Sequence, residues 1–244
     1  MNHKAILQVK NLTKIYKKHK FVTVKRIVGV EKLNFEVYEN EIFGLLGLNG
    51  SGKTTVIKLI LGLLKPDEGE IYFFDKKLPN WSINKYLGYL PEMVSFNKNF
   101  SGYELLTFYS KITDFIDSQR LNEVIKFVKL DKDIFRKVSD YSKGMIQRLG
   151  IAQAIVHNPE LLIFDEPTSG LDPVGIKEIR DLILELKSQG KTIFFSSHLI
   201  SELEKVCDRV GIIHKGKIIR IVDNKEWQKI PLEEIFISSI EEKN

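Results

Sequence analysis

One cysteine, Cys207, stands in the whole chain of 244 residues, so no internal disulfide forms and a reducing compartment is expected. Long apolar runs are missing too. No uncharged stretch is longer than Ile42–Gly52, well short of the roughly 20 residues that a membrane-spanning helix needs. The first ten residues hold no apolar segment of the secretory kind, which makes a cytoplasmic protein the expectation. Internal repeats and low-complexity linkers are absent. The chain also lacks an acid excess: 37 Lys and Arg face 32 Asp and Glu, a net charge of +5. So mild an excess suits nucleotides, nucleic acid or anionic headgroups alike. Part of it sits in one run, Lys14, Lys17, Lys18, Lys20, Lys25 and Arg26, which is either a polyanion patch or a solvated face. A hydrophobic content of 43% excludes intrinsic disorder and supports a sizeable core.

What is present alternates between two periods. Ile6-Leu7-Gln8-Val9-Lys10 and Leu33-Asn34-Phe35-Glu36-Val37 alternate as half-exposed strands do, whereas Ile42-Phe43-Gly44-Leu45-Leu46 is apolar throughout, as a strand buried on both faces is. A helix is expected from Lys53 to Leu64, stopped by Pro66 and Gly69, before a strand at Ile71-Tyr72-Phe73-Phe74. Between about Met93 and His157 the period becomes 3.6, with a capping box at Ser101 and Glu104 and helical spacing through Val124–Val128 and Met145–Val156. This stretch reads as a helical insertion. Strand and helix then alternate again through Leu161–Phe164, the Ile179–Leu186 helix, Thr192–Phe195 and a hairpin turning at Lys215-Gly216. The expected fold is α/β, with a tail from Asn224 that forms a short helix with a frayed end.

Gly47-Leu48-Asn49-Gly50-Ser51-Gly52-Lys53-Thr54 matches GxxxxGK[ST] between a buried strand and a helix. Glycines let the backbone curl into a nest of N–H donors around phosphates, and the helix N-terminus adds partial positive charge. Lys53 would reach the β- and γ-phosphates, and the Thr54 hydroxyl would hold Mg²⁺. Leu161-Leu162-Ile163-Phe164-Asp165-Glu166 delivers two adjacent carboxylates at the C-terminal edge of a strand, where ligands of open α/β sheets bind. Asp165 is expected to orient Mg²⁺ and Glu166 to polarise the attacking water. No guanine-reading NKxD motif appears, since Asn224-Lys225 runs on into Glu226-Trp227.

Three further motifs follow in order: Tyr141-Ser142-Lys143-Gly144-Met145-Ile146-Gln147-Arg148, Ser169-Gly170-Leu171-Asp172 and Ser196-Ser197-His198. With these five elements the chain, from about Leu7 to Val222, resembles the nucleotide-binding subunit of an ATP-binding cassette (ABC) transporter. The resemblance implies a P-loop NTPase core with an antiparallel β subdomain (about 1–92 and 158–222), a helical subdomain (about 93–157) and a tail (223–244). It implies ATP and Mg²⁺ as cofactors, with nucleotide contacts at Gly47, Asn49, Gly50, Ser51, Gly52, Lys53, Thr54 and Thr55. Ser142 and the Gly144 backbone match the signature loop that meets the γ-phosphate held by an opposite subunit, Asp172 matches the D-loop, and His198 matches the switch histidine. Catalysis would then rest on Lys53, Glu166 and His198. Tyr16 is the candidate for stacking on adenine, with Phe21 its rival.

Two departures from the family pattern stand out. Glu92 follows Gly88-Tyr89-Leu90-Pro91 where most members have Gln, which places a carboxylate beside the metal with Thr54 and Asp165. In the signature, Tyr141 replaces Leu, Lys143 replaces Gly and Met145 replaces Gln; Lys143 either faces a polyphosphate or points to solvent. This combination is similar to the exporter branch with separate permease polypeptides. The resemblance implies an integral membrane permease as partner and a homodimer, or a heterodimer with a second cassette. It further implies a peripheral site on the cytoplasmic face of the cell membrane, with nucleic acid not expected as a partner. Phe96, Phe100, Tyr103 and Phe108 either line the groove that receives the permease or form the insertion's own core. The alternative is a soluble ABC ATPase acting on ribosome, nucleic acid or a protein assembly, which usually carries two cassettes or long coiled-coil insertions.

Overall fold

The computed structural model describes residues 4–20, 23–79, 81–113 and 117–243. In chain order the elements are β1 (Ala5–Lys20), β2 (Thr23–Tyr38), β3 (Ile42–Leu46), α1 (Lys53–Ile60), β4 (Glu68–Phe73), β5 (Lys76–Lys77) and β6 (Leu87–Leu90). They continue with α2 (Gly102–Ile112), α3 (Ser118–Phe127), α4 (Lys143–Ile155), β7 (Leu161–Asp165), α5 (Pro173–Ser188) and β8 (Thr192–Ser197). Last come α6 (Ile200–Val206), β9 (Arg209–His214), β10 (Lys217–Asp223), α7 (Asn224–Trp227) and α8 (Leu232–Glu241). The fold is mixed α/β. The chain divides into two compact units, Met1–Ile83 with Phe194–Asn244, and Asn84–Ile193.

The first unit holds an antiparallel sheet of order β2-β1-β4-β5 and a second set of strands in the order β10-β9-β3-β8. β3 pairs in parallel with β9 and is buried at every position, which is why its sequence is apolar on both faces. Phe43 on this strand stacks on Phe35 at 5.5 Å and on Phe194 at 5.9 Å. The Arg209 guanidinium lies over Tyr38 and Phe43 and bonds Glu41 at 3.1 Å, so that this buried carboxylate is paired.

Three features of this unit differ from the sequence expectation. α1 ends at Ile60, before Pro66, because Gly62 takes the left-handed conformation (φ +70) that closes a helix. β1 and β2 are 16 residues each and pair from Ala5–Tyr38 out to Lys20–Thr23, far beyond the two short alternating stretches. Alternation marks a strand only where one face is buried, and β4 covers β1 no farther than Thr13. The tail is not frayed: α8 buries Leu232, Ile235 and Phe236, and the Leu232 N–H donates to Glu204 Oε1 at 2.9 Å.

In the second unit β6 and β7 pair in parallel from Leu87–Leu161 to Leu90–Phe164. The capping box opens α2 as expected, with Ser101 Oγ accepting from the Glu104 N–H and Glu104 Oε2 from the Ser101 N–H. α4 packs so closely on β6 that a Cβ at Gly150 would stand 2.6 Å from Leu90 Cδ1. At its far end the half-buried His157 ring bonds the Leu87 carbonyl at 3.0 Å.

Candidate functional site

Five buried residues of β3 lead straight into the loop 47–52 and then α1. Gly52 at the junction has φ +115, and a Cβ there would press on the Gly29 carbonyl at 2.7 Å; only glycine fits. The loop is pinned from outside by the Gly216 N–H, which donates to the Ser51 carbonyl at 2.9 Å. Lys53 is buried, and its Nζ donates back to the Gly47 carbonyl at 2.7 Å, holding the loop curled around its own ammonium. The Ser51 hydroxyl oxygen is buried with no hydrogen-bond partner among the described residues. Leu48, Asn49, Gly50 and Thr54 are exposed along the rim, and Thr55 is half-buried. A buried ammonium, an orphaned hydroxyl and a helix N-terminus in one tight turn form a donor set that fits a polyphosphate.

Two other expected residues come to this loop within the same unit. Tyr16 Oη lies 3.2 Å from Thr55 Oγ1, and its ring packs where a side chain at Gly29 would stand, so the aromatic is fixed beside the first turn of α1. Its rival Phe21 lies outside the described residues, as do the side chains of Lys18, Lys20 and Lys25. The Gly47 N–H donates to the carbonyl of Ser197 at 3.4 Å, so exposed His198, the next residue, follows directly from the strand end that abuts the loop.

The second unit carries the acidic residues. β7 is buried throughout and ends in Asp165, 2% exposed, followed by Glu166, 6% exposed. Glu166 holds φ +47, a left-handed conformation that a non-glycine residue adopts at a cost. The turn after it is braced twice: the Ser169 N–H donates to the Glu166 carbonyl at 3.0 Å, and Gln147 Nε2 on α4 donates to the Pro167 carbonyl at 2.8 Å. Exposed Glu92 and buried Asp165 both act on Tyr89, whose phenol is pushed up to about 12 by burial first and then by these two negative charges.

Ser142 is the N-cap of α4, its Oγ accepting from the Met145 N–H at 3.2 Å, and with Gly144 it presents that helix start to solvent. Tyr141, the departure from the usual Leu, is buried and donates its hydroxyl to the Asp133 carbonyl at 2.9 Å, anchoring the loop before α4. The Lys143 ammonium occupies the space a Cβ at Gly170 would take. Asp172 caps α5, its Oδ1 accepting from the Gly175 N–H at 2.7 Å. Gln147 is a positioning residue given no role in the sequence reading; its partner stands 20 positions away, and no local signal marks the pair. Of the aromatics, Phe96 pairs with Tyr109 at 6.2 Å and Tyr103 with Phe135 at 5.1 Å, while Phe100, Phe108 and Met93 stay exposed at 45%, 57% and 85%.

Residues 30–169 match the family described as "ABC transporter". The bacitracin transport ATP-binding protein BcrA of Bacillus licheniformis is 43% identical over 218 residues, 88% of this chain and 69% of that protein. A solved ATP binding subunit of an ABC transporter matches with a TM-score of 0.81 at 26% identity, covering 96% of this chain and 99% of that one. A dimeric ATP-binding cassette in a post-hydrolysis state with bound ADP and Pi matches with a TM-score of 0.78 at 25% identity, over 89% of this chain and 98% of that one. The chain spans between 62% and 78% of the length of the curated relatives it matches.

Proposed function

The chain belongs to the ABC transporter family as an ATP-binding, ATP-hydrolysing subunit, and we propose that it powers export through a separate integral membrane permease from the cytoplasmic face of the cell membrane. The observation that carries this reading is the turn at Gly47–Thr55, where buried Lys53 and the orphaned Ser51 hydroxyl converge on one helix start. Lys53 and the loop N–H groups bind the phosphates of ATP, and Tyr16 receives the adenine. Thr54, Asp165 and Glu92 are the residues assigned to hold Mg²⁺, which supplies charge neutralisation on the transferred phosphoryl group when bound. Glu166 takes the proton of the attacking water, and His198 orients the γ-phosphate. Nothing covalent is asked of the protein, because phosphoryl transfer rests on positioning and electrostatics.

Ser142, Gly144 and Asp172 act across a pair of cassettes, either two copies of this chain or one copy with a different cassette. Those contacts exist only in the closed pair, so nucleotide binding favours closure by its difference in affinity for the two states. The helical subdomain, about 93–157, meets the permease with its exposed Phe100, Phe108 and Met93. The test is recovery of tagged Glu166→Gln with MgATP from solubilised membranes of the native organism. A stoichiometric multi-spanning membrane protein is expected alongside it; ribosomal or other soluble partners in its place overturn the transporter reading. The same variant binds MgATP normally and hydrolyses about 10² to 10⁴ times more slowly, and unchanged hydrolysis removes Glu166 from its role.

A further inference from the structure

Lys143, at the start of α4, is exposed yet lies along its own chain. Its ammonium stands where a Cβ at Gly170 would be, and its Cε comes within 3.4 Å of that point. Gly170 has φ +64, and the lack of a Cβ leaves room for the lysine. Four residues along the same helix face, buried Gln147 donates through Nε2 to the Pro167 carbonyl at 2.8 Å. Two side chains of α4, one turn apart, therefore reach the single bend of chain that opens with Glu166 and closes with Asp172 at the cap of α5.

Inside that bend the backbone makes two short turns, the Ser169 N–H donating to the Glu166 carbonyl at 3.0 Å and the Leu171 N–H to the Thr168 carbonyl at 3.3 Å. Glu166 at φ +47 and Gly170 at φ +64 are both left-handed. Glycine takes that conformation freely, whereas Glu166 relaxes from it unless its surroundings hold it. Pro167 is buried, so removing the Gln147 amide leaves its carbonyl short of a donor at a cost. Ser142, the residue before Lys143, is the exposed N-cap of α4. The brace on Glu166 and the helix start assigned to the opposite cassette thus belong to one helix.

We propose that Lys143 and Gln147 are positioning residues for Glu166: through them α4 holds the bend 166–171, so that the catalytic carboxylate is set, within one chain, by the same helix whose start meets the opposite cassette. The proposal rests on the reading of Glu166 as the group that takes the proton of water. Its test is a double-variant cycle on the full chain, with hydrolysis and equilibrium MgATP binding measured side by side. Gln147→Met keeps the length and the helix preference but removes the donor; kcat is expected to fall by about 10-fold, the scale of one lost buried hydrogen bond, at unchanged MgATP affinity. Lys143→Ala is expected to lower kcat by about twofold or more in the same way, and Lys143→Arg, long enough to cover Gly170, to restore it. Added to Glu166→Gln, where the carboxylate is already gone, Gln147→Met is expected to cost no further hydrolysis. Where Gln147→Met does not fold, Lys143→Ala completes the same cycle. A further 10-fold loss in the Glu166→Gln background, unchanged kcat in both single variants, or a loss of MgATP affinity that matches the loss of kcat overturns the proposal. Lys143→Ala in the Glu166→Gln background should still pair with MgATP; failure to pair puts the ammonium on the opposite nucleotide and also overturns it. Undiminished hydrolysis by Glu166→Gln alone overturns the role of Glu166 and the proposal with it, whereas the other outcomes leave that role standing.

Discussion

Glu166 shows most clearly what a single residue costs and what it provides. Its φ of +47 is strain of roughly 1 kcal/mol or more, maintained because Gln147 and the Ser169 N–H fix the turn around it. Lys53 is the counterpart in the loop, and Lys53→Ala is expected to lose on the order of 100-fold in nucleotide affinity by equilibrium titration, since a buried charge-assisted contact disappears. Glu92 has two separable consequences. Glu92→Gln removes one of the charges that raise Tyr89, so ultraviolet titration should find that phenol below about 12. If Glu92 meets the metal as proposed, the Mg²⁺ concentration for half-maximal hydrolysis should rise by about threefold or more when its carboxylate becomes an amide; an unchanged value makes the charge incidental. At this scale the glycine turn from Gly47 to Thr54 was legible as a strand-to-helix junction, because its residues are adjacent in the chain. Tyr141 on Asp133 and Gln147 on Pro167 were not, because only folding brings those partners within reach.

At the scale of elements, caps were read correctly and extents less well. The capping box at Ser101 and Glu104 is a local bargain between side chains and the first turn, so the sequence carries it whole. The β1–β2 ribbon has no buried face beyond Thr13, so no alternation announced its length. The joint between α4 and β6 gives a pH prediction. His157 bonds Leu87 through Nε2, while Nδ1 is buried with no hydrogen-bond partner among the described residues. Burial chiefly, and Lys191 in addition, hold its pKa below the ordinary 6.5, against a raising contribution from the Leu87 hydrogen bond. The unfolded chain therefore takes the proton first: the stability from neutral His157 is present above pH 6.5 and is lost as pH falls through the lower folded value. Urea midpoints should drop as pH falls from 6.5 toward that lower folded value, and His157→Gln, which keeps a donor for Leu87, should flatten the drop.

Over the whole molecule, the reading turns on self-association. Sedimentation of Glu166→Gln should show a single copy without nucleotide and a pair with MgATP. Adding Ser142→Asp keeps a good N-cap on α4 but sets a negative charge where a phosphate of the opposite cassette would come. The pair should then fail to form while ATP binding to each copy persists; a stable pair would remove Ser142 from the interface. The amino-acid sequence by itself determined the α/β class, the family and the order of its chemical motifs, since each depends on residues adjacent in the chain and on periods of two and 3.6. Tertiary structure alone decided that Lys53 curls onto Gly47, that Tyr16 stands beside Thr55, that α8 docks on Glu204, and that the cationic run forms a paired ribbon. Those outcomes depend on burial and on partners distant in sequence, where the competition among contacts is settled only when the chain packs.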